Sequence, residues 1–140
     1  MALREDLPAT RWDGADGSLS IRRPAAGVVV VTIAGVDAGQ FGDGPFEEIE
    51  KDLSDHRTIE LFIDARAARA PTTDVSADWA HWLAENRNRF TAIRMLTGTP
   101  FVRISADFVR KYAGLGARMC VYTDPRAFDD ELRTAAAAAE

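Results

Sequence analysis

The sequence predicts a single α/β domain, and three observations predict it. Apolar runs at Val28–Ile33, Ile59–Ile63, Ile93–Leu96 and Ala117–Tyr122 have the length and β-branched content of buried strands. Amphipathic stretches of helical spacing follow each run, as crossovers between parallel strands require. Pro45, Pro71, Pro100 and Pro125 each stand near the start of such a stretch, where a missing N–H costs nothing. The resulting order is β-β-α-β-α-β-α-β-α, a mixed sheet of five strands with four helices packed mainly against it. With 140 residues, 46% of them hydrophobic, the chain can bury one core without disulfide or metal support.

Residues 1–17 carry Pro8, Gly14 and Gly17 among few apolar side chains, so they read as a flexible N-terminal arm ending in a turn. The domain is expected over 18–134. Ser18–Arg23 alternates through Leu19 and Ile21 like an edge strand, and Pro24–Gly27 turns the chain into Val28–Ile33 to make a hairpin. The first helix presents Phe46, Ile49 and Leu53 on one face, and the second Val75, Trp79, Trp82, Leu83 and Phe90. The third presents Phe101, Ile104, Phe108 and Tyr112, and the fourth Phe128 and Leu132. Trp79 and Phe108 are expected to be largely buried. Asp43, Thr99 and Asp124 are placed to cap three of the helices. Gly114 and Gly116 end the third helix and lead into the last strand. Residues 135–140, mostly alanine, read as a helix end or tail.

A net charge of −5 disfavours a nucleic-acid partner, which would call for a basic surface. The longest apolar stretch, Ala25–Ala34, is about half of the roughly 20 residues that span a membrane, so no stable membrane insertion is expected. The N-terminus lacks the apolar run of a signal peptide, and a cytoplasmic protein is expected. Cys120, the only cysteine, lies inside a predicted strand and reads as a buried, inert thiol.

Chemistry is sparse. His56 and His81 have no partner histidine or cysteine at ligand spacing, so neither a metal nor a cofactor is expected. His56 ends the first helix, where a cation suits the negative pole. His81 has Asp78 three residues before and Glu85 four after, within reach on one helix face, but no nucleophile or oxyanion donor stands beside it. An enzyme using these three is the least favoured reading. Gly39–Gly44 is glycine-rich and opens a helix, yet lacks the Lys-Ser/Thr ending of a phosphate loop and carries Asp43. Trp79, Trp82, Phe101, Phe108 and Tyr112 are either plain core or the lining of an apolar pocket between helices and sheet. Arg22, Arg23, Arg66 and Arg69 are either solvated surface or contacts for an anionic partner.

The order of elements, together with Ile59-Glu-Leu-Phe-Ile-Asp-Ala65, resembles the STAS domain of bacterial anti-sigma factor antagonists and its CRAL-TRIO-like relatives. The resemblance covers roughly residues 18–134. It implies that Ile59–Ala65 is the third strand of the family, ending in an aspartate and followed by a loop into the second helix. In phosphorylated members that loop ends in Asp-Ser-Ser-Gly, the second serine being the acceptor. Counting without gaps from Asp64 places Thr72-Thr-Asp-Val75 there, with Asp74 at the acceptor position and Thr73 before it. The motif is therefore absent. Asp74 at the acceptor position would mimic a permanent phosphate, and a one-residue shift would make Thr73 the acceptor. The favoured reading is ordinary capping, with Thr72 or Thr73 as N-cap and Asp74 at the positive end of the helix.

The resemblance implies a regulatory module that binds a protein through the loop of Arg66, Arg69, Thr72, Thr73 and Asp74, without serine phosphorylation. The alternative it implies is CRAL-TRIO-like binding of a lipid or other small apolar ligand. A second copy of the chain is a further candidate partner.

Overall fold

The computed structural model describes residues 9–139. Its strands are β1 (Thr10–Asp13), β2 (Gly17–Ala25), β3 (Val28–Asp37), β4 (Ile59–Pro71), β5 (Phe90–Thr97) and β6 (Met119–Tyr122). Its helices are α1 (Gly44–Asp55), α2 (Thr73–Glu85), α3 (Pro100–Tyr112) and α4 (Pro125–Ala138), with short 3-10 turns at Arg87–Arg89 and Gly116–Arg118. The strands lie side by side in sequence order. β1, β2 and β3 pair antiparallel, whereas β3 to β6 pair parallel, so the mixed sheet expected from the sequence is present with one strand more.

The sheet is covered on both faces, which is why its central strands read as unbroken apolar runs. Val29, Val31 and Ile33 of β3 join Leu61 and Ile63 of β4 in the larger core, with Ile49 and Leu53 of α1, Leu83 of α2 and Val109 of α3. Val28 and Val30 face the other way, into a smaller core with Phe62, Leu96 and Phe128 beneath α4. Alternation along a strand sends neighbouring residues to opposite faces, and both faces find cover. Ala135 and Ala136 pack against the smaller core, so the alanine-rich run extends a docked helix.

Several expectations are corrected. The added strand, β1, lies within the segment read as an arm, because Gly14 and Gly17 form the turn of a hairpin and do not lead out of one. Thr10 pairs with Ile21 and Trp12 with Leu19. Trp12 then lies so close to Gly44 that a Cβ there would stand 2.7 Å from the indole nitrogen. The part of the predicted arm over residues 1–8 lies outside the described residues. β4 runs on to Pro71, so the loop expected after Ala65 is largely strand, with Ala67 and Ala68 paired to Ala34 and Gly35 of β3. Gly35 has φ of 76°, and a Cβ there would meet the Asp16 carbonyl oxygen at 2.2 Å, so only glycine fits.

Phe90 opens β5 and does not end α2, since Arg87–Arg89 interposes a 3-10 turn. Thr99 and Asp124 cap α3 and α4 through the amides of Val102 and Arg126, whereas Asp43 makes no side-chain cap at α1. Cys120 is exposed: it lies on β6, an edge strand, and not under cover.

The largest correction concerns α3, whose other face is buried. Val102, Ala106, Val109 and Ala113 pack on the core, while Phe101, Ile104, Phe108 and Tyr112 point outward. Both stripes have helical spacing, and bulk alone favours the wrong one. Small side chains let α3 settle close to the sheet beside β4 and β5.

Candidate functional site

The segment that resemblance marks for regulation is the junction between β4 and α2. Thr72 is the N-cap, its hydroxyl accepting from the Val75 amide at 3.3 Å, and its own amide donates to the Asp37 carbonyl at 3.0 Å. Thr73 and Asp74 occupy the exposed first turn of α2, where a carboxylate suits the positive helix end. Arg69 is exposed. Arg66 is held: it donates to Asp64 at 3.0 Å and to Asp129 of α4 at 2.6 Å, and these bonds raise its pKa, Asp129 foremost. Arg23 is likewise engaged inside the fold, with Asp52 of α1 at 2.8 Å.

The aromatic residues divide. Phe46 of α1 stacks on Trp82 at 5.0 Å and meets Trp79 edge-on at 4.9 Å, and the Trp82 indole N–H donates to Glu50 at 2.9 Å. Trp82 belongs to the larger core, and Phe46 and Trp79 are partly buried against it. Trp79 also lines an apolar cavity of about 60 Å³ between α2, α3 and the sheet. Trp82, Phe101, Phe108 and Tyr112 are not among the residues that line it. The last three, with Ile104, are the exposed large apolar side chains of the described residues, at 60% (Phe101), 43% (Phe108), 63% (Tyr112) and 69% (Ile104) exposure. The pocket expected from the sequence and the stripe on α3 are thus two separate features.

Beside the cavity lies a more polar cleft of about 80 Å³, bordered by Asp43, Asp78, Phe46 and Gly39. Asp37, Val75 and Trp79 line both spaces. Asp37 ends β3 and is only 7% exposed. One carboxylate oxygen accepts from the Gly39 amide at 3.0 Å, and the other accepts nothing among the described residues. Burial raises its pKa, and the nearby charge of Asp78 adds to the rise. Sequence reading passed over Asp37. Its signal was position, since an acid ending a buried parallel strand stands at the edge where α/β sheets hold ligands.

His81 contacts Glu85 at 3.4 Å, but both are well exposed on α2. Asp78 borders the cleft and the other two do not. Among the described residues, no group of three or more His, Cys, Asp or Glu side chains is arranged to hold a metal ion, and no helix is long and apolar enough to cross a membrane.

No family model matches the sequence, and no curated protein matches it. Solved structures do match. An uncharacterised protein of the DUF3478 family from Shewanella loihica PV-4, with a SpoIIAA-like fold, aligns at a TM-score of 0.58 and 11% identity over 94% of this chain and 98% of that one. The anti-sigma factor antagonist SpoIIAA in its unphosphorylated form aligns at 0.54 and 16% identity, over 83% of this chain and 96% of its own. An anti-sigma factor antagonist from Mycobacterium paratuberculosis aligns at 0.53 and 16% identity, over 92% and 95%. At such identities the likeness establishes the fold, which is the SpoIIAA-like STAS fold.

Proposed function

We propose that this STAS-fold chain is a regulatory module that acts by binding a partner protein, without catalysis and without a serine-phosphate switch. The observation that carries the reading is the bare stripe of Phe101, Ile104, Phe108 and Tyr112 along α3. A contiguous apolar surface of this kind is costly in water and marks a surface that another molecule covers. Two of the fold neighbours are anti-sigma factor antagonists, proteins named for opposing another protein, which supports a protein as the occupant.

Charge narrows the partner. α3 carries Arg103, Arg110 and Lys111 against Asp107, on a chain whose net charge is −5. Arg118 donates to the Arg87 carbonyl beyond the C-terminal end of α3, which extends the basic region. The complementary surface is apolar at its centre and acidic at its rim. The junction of Thr72, Thr73 and Asp74 contributes as it stands, because a carboxylate already occupies the positive end of α2.

The test is capture of a partner from extracts of the native cells, followed by calorimetric titration of the two purified proteins. Ile104→Glu is expected to weaken binding at least 30-fold, on the order of 2 kcal/mol for a central apolar contact, and added salt to weaken binding by the native chain. Undiminished affinity in a folded Ile104→Glu variant would sink the proposal for α3. Intact-mass analysis of the native protein should show no phosphorylated population that Thr73→Ala removes.

The apolar cavity favours a second reading, binding of a small apolar ligand. A volume of about 60 Å³ suits a short carbon chain and not a folded-in acyl tail.

A further inference from the structure

We propose that the cavity and the cleft together form a site for a small primary amine with an apolar body, whose ammonium group meets the Asp37 carboxylate. The inference rests on the second reading above, since it names the chemical class of that ligand. Its geometry is the meeting of an apolar cavity with a nearly buried acid that has no cation.

The cavity wall is hydrocarbon and sulfur, including Ile63, Leu83, Met95, Val109 and Met119. A carbon chain enters such a space at the gain of burying apolar surface. At the boundary with the cleft stands Asp37. Elsewhere the shielded carboxylates have cationic partners: Asp52 has Arg23, Glu48 has Lys51 and Arg23, Glu60 has Arg94, and Asp64 has Arg66. Asp37 is the exception, with one hydrogen bond from its own turn. No fully buried side-chain nitrogen or oxygen of the described residues lacks a partner, so the free oxygen of Asp37 borders open space. Asp37 lines both spaces, and of the two it is the cleft whose wall is polar, so the oxygen stands on the cleft side of the boundary with the apolar cavity.

An ammonium there would donate a charge-assisted hydrogen bond to that oxygen. Asp78 and Asp43 border the same cleft and add negative field, while Trp79 and Phe46 supply aromatic walls that favour a cation. A neutral alcohol of the same shape gains the burial but not the ion pair. An anion is repelled by all three carboxylates.

Two of the chain's three methionines, Met95 and Met119, line the cavity, and their methyl groups report its occupancy directly. The experiment titrates the full chain with n-butylamine hydrochloride, and separately with n-butanol, following the methionine methyl resonances at neutral pH. The amine is expected to shift both methyls saturably and to bind at least ten-fold more tightly than the alcohol. Asp37→Asn, which retains an oxygen for the Gly39 amide, should abolish that preference and leave butanol binding unchanged. Equal binding of amine and alcohol by the native chain would overturn the amine assignment while leaving an apolar site standing. The absence of any saturable shift with either probe would overturn both the amine assignment and the apolar-ligand reading. The comparison of probes on the native chain decides the matter even if the variant misfolds.

Discussion

The region between β2 and α1 and the region between α2 and α3 are built from similar residues and finished differently. Asp52, at 9% exposure, and Asp37, at 7%, are the buried carboxylates of the described residues. Asp52 is bound by Arg23, whose Nε donates at 3.0 Å and 3.1 Å and whose Nη2 donates at 2.8 Å. That bonding to Asp52 is the foremost cause of the raised Arg23 pKa. Nearby, Phe46 packs against two indoles. At α2 and α3 the carboxylate has no cation and the rings of α3 have no cover. The first region is closed within one chain, whereas the second leaves a carboxylate without a cation and apolar rings open to solvent.

The largest effect expected from this contrast is the loss of Arg23. Arg23→Ala leaves Asp52 buried and unpaired beside Glu48, and should lower stability by about 2–4 kcal/mol in urea denaturation. Removing Asp52 as well should restore part of the loss, because the uncompensated charge goes with it. If the single variant costs less than about 1 kcal/mol, water already reaches the pair and the region is not sealed.

Asp37→Asn should move stability the other way. Its pKa is raised, so the folded state favours the proton and the ionised carboxylate opposes folding at neutral pH. The unfolded chain binds fewer protons at this group between its ordinary value and the raised one, so stability from Asp37 falls as pH rises through that window. Above the window the penalty is constant. Asp37→Asn is therefore expected to gain on the order of 1 kcal/mol at pH 7, an ordinary size for one substitution. The gain should shrink as pH falls through the window and the native carboxyl takes up its proton. Glu48 behaves oppositely: desolvation pushes it up, but Lys51, Arg23 and Thr10 outweigh this and hold it below its ordinary value. Its contribution is present above the ordinary value and is lost as pH falls. A pH-independent gap between native and Asp37→Asn chains would mean that the carboxylate is solvated.

What could be read from the sequence follows the same division. The strand runs, the helix order and the caps at Thr99 and Asp124 are local in origin, and local pattern suffices to place them. β1 escaped because four residues ahead of a glycine-bearing turn carry too little alternation to announce a strand. The buried face of α3 escaped for a tertiary reason. Pattern finds two apolar stripes, and only the distance between helix and sheet selects the one with alanines. Asp37 escaped because a carboxylate declares itself unpaired only when every possible cation is located, which is a property of the assembled fold. The cap at α2 was legible as Thr72 or Thr73, because that role depends on neighbouring residues, and the fold selects Thr72.

The smallest expected effect is the most direct measure of the contrast. Phe108 reads in sequence as a core residue, and a core phenylalanine truncated to alanine costs about 3–5 kcal/mol. In the structure its ring touches Tyr112 at 5.6 Å and is 43% exposed. Its removal opens no enclosed cavity, and solvent already occupies the outer side. Phe108→Ala should therefore change stability by less than about 1 kcal/mol in urea denaturation. Phe128→Ala in the core under α4, where the ring is fully buried against Phe62 and Tyr122, should incur the full core loss. Comparable losses for the two phenylalanines would mean that α3 turns its aromatic face inward in solution. The stripe would then belong to the core, and the surface proposed for the partner would not exist.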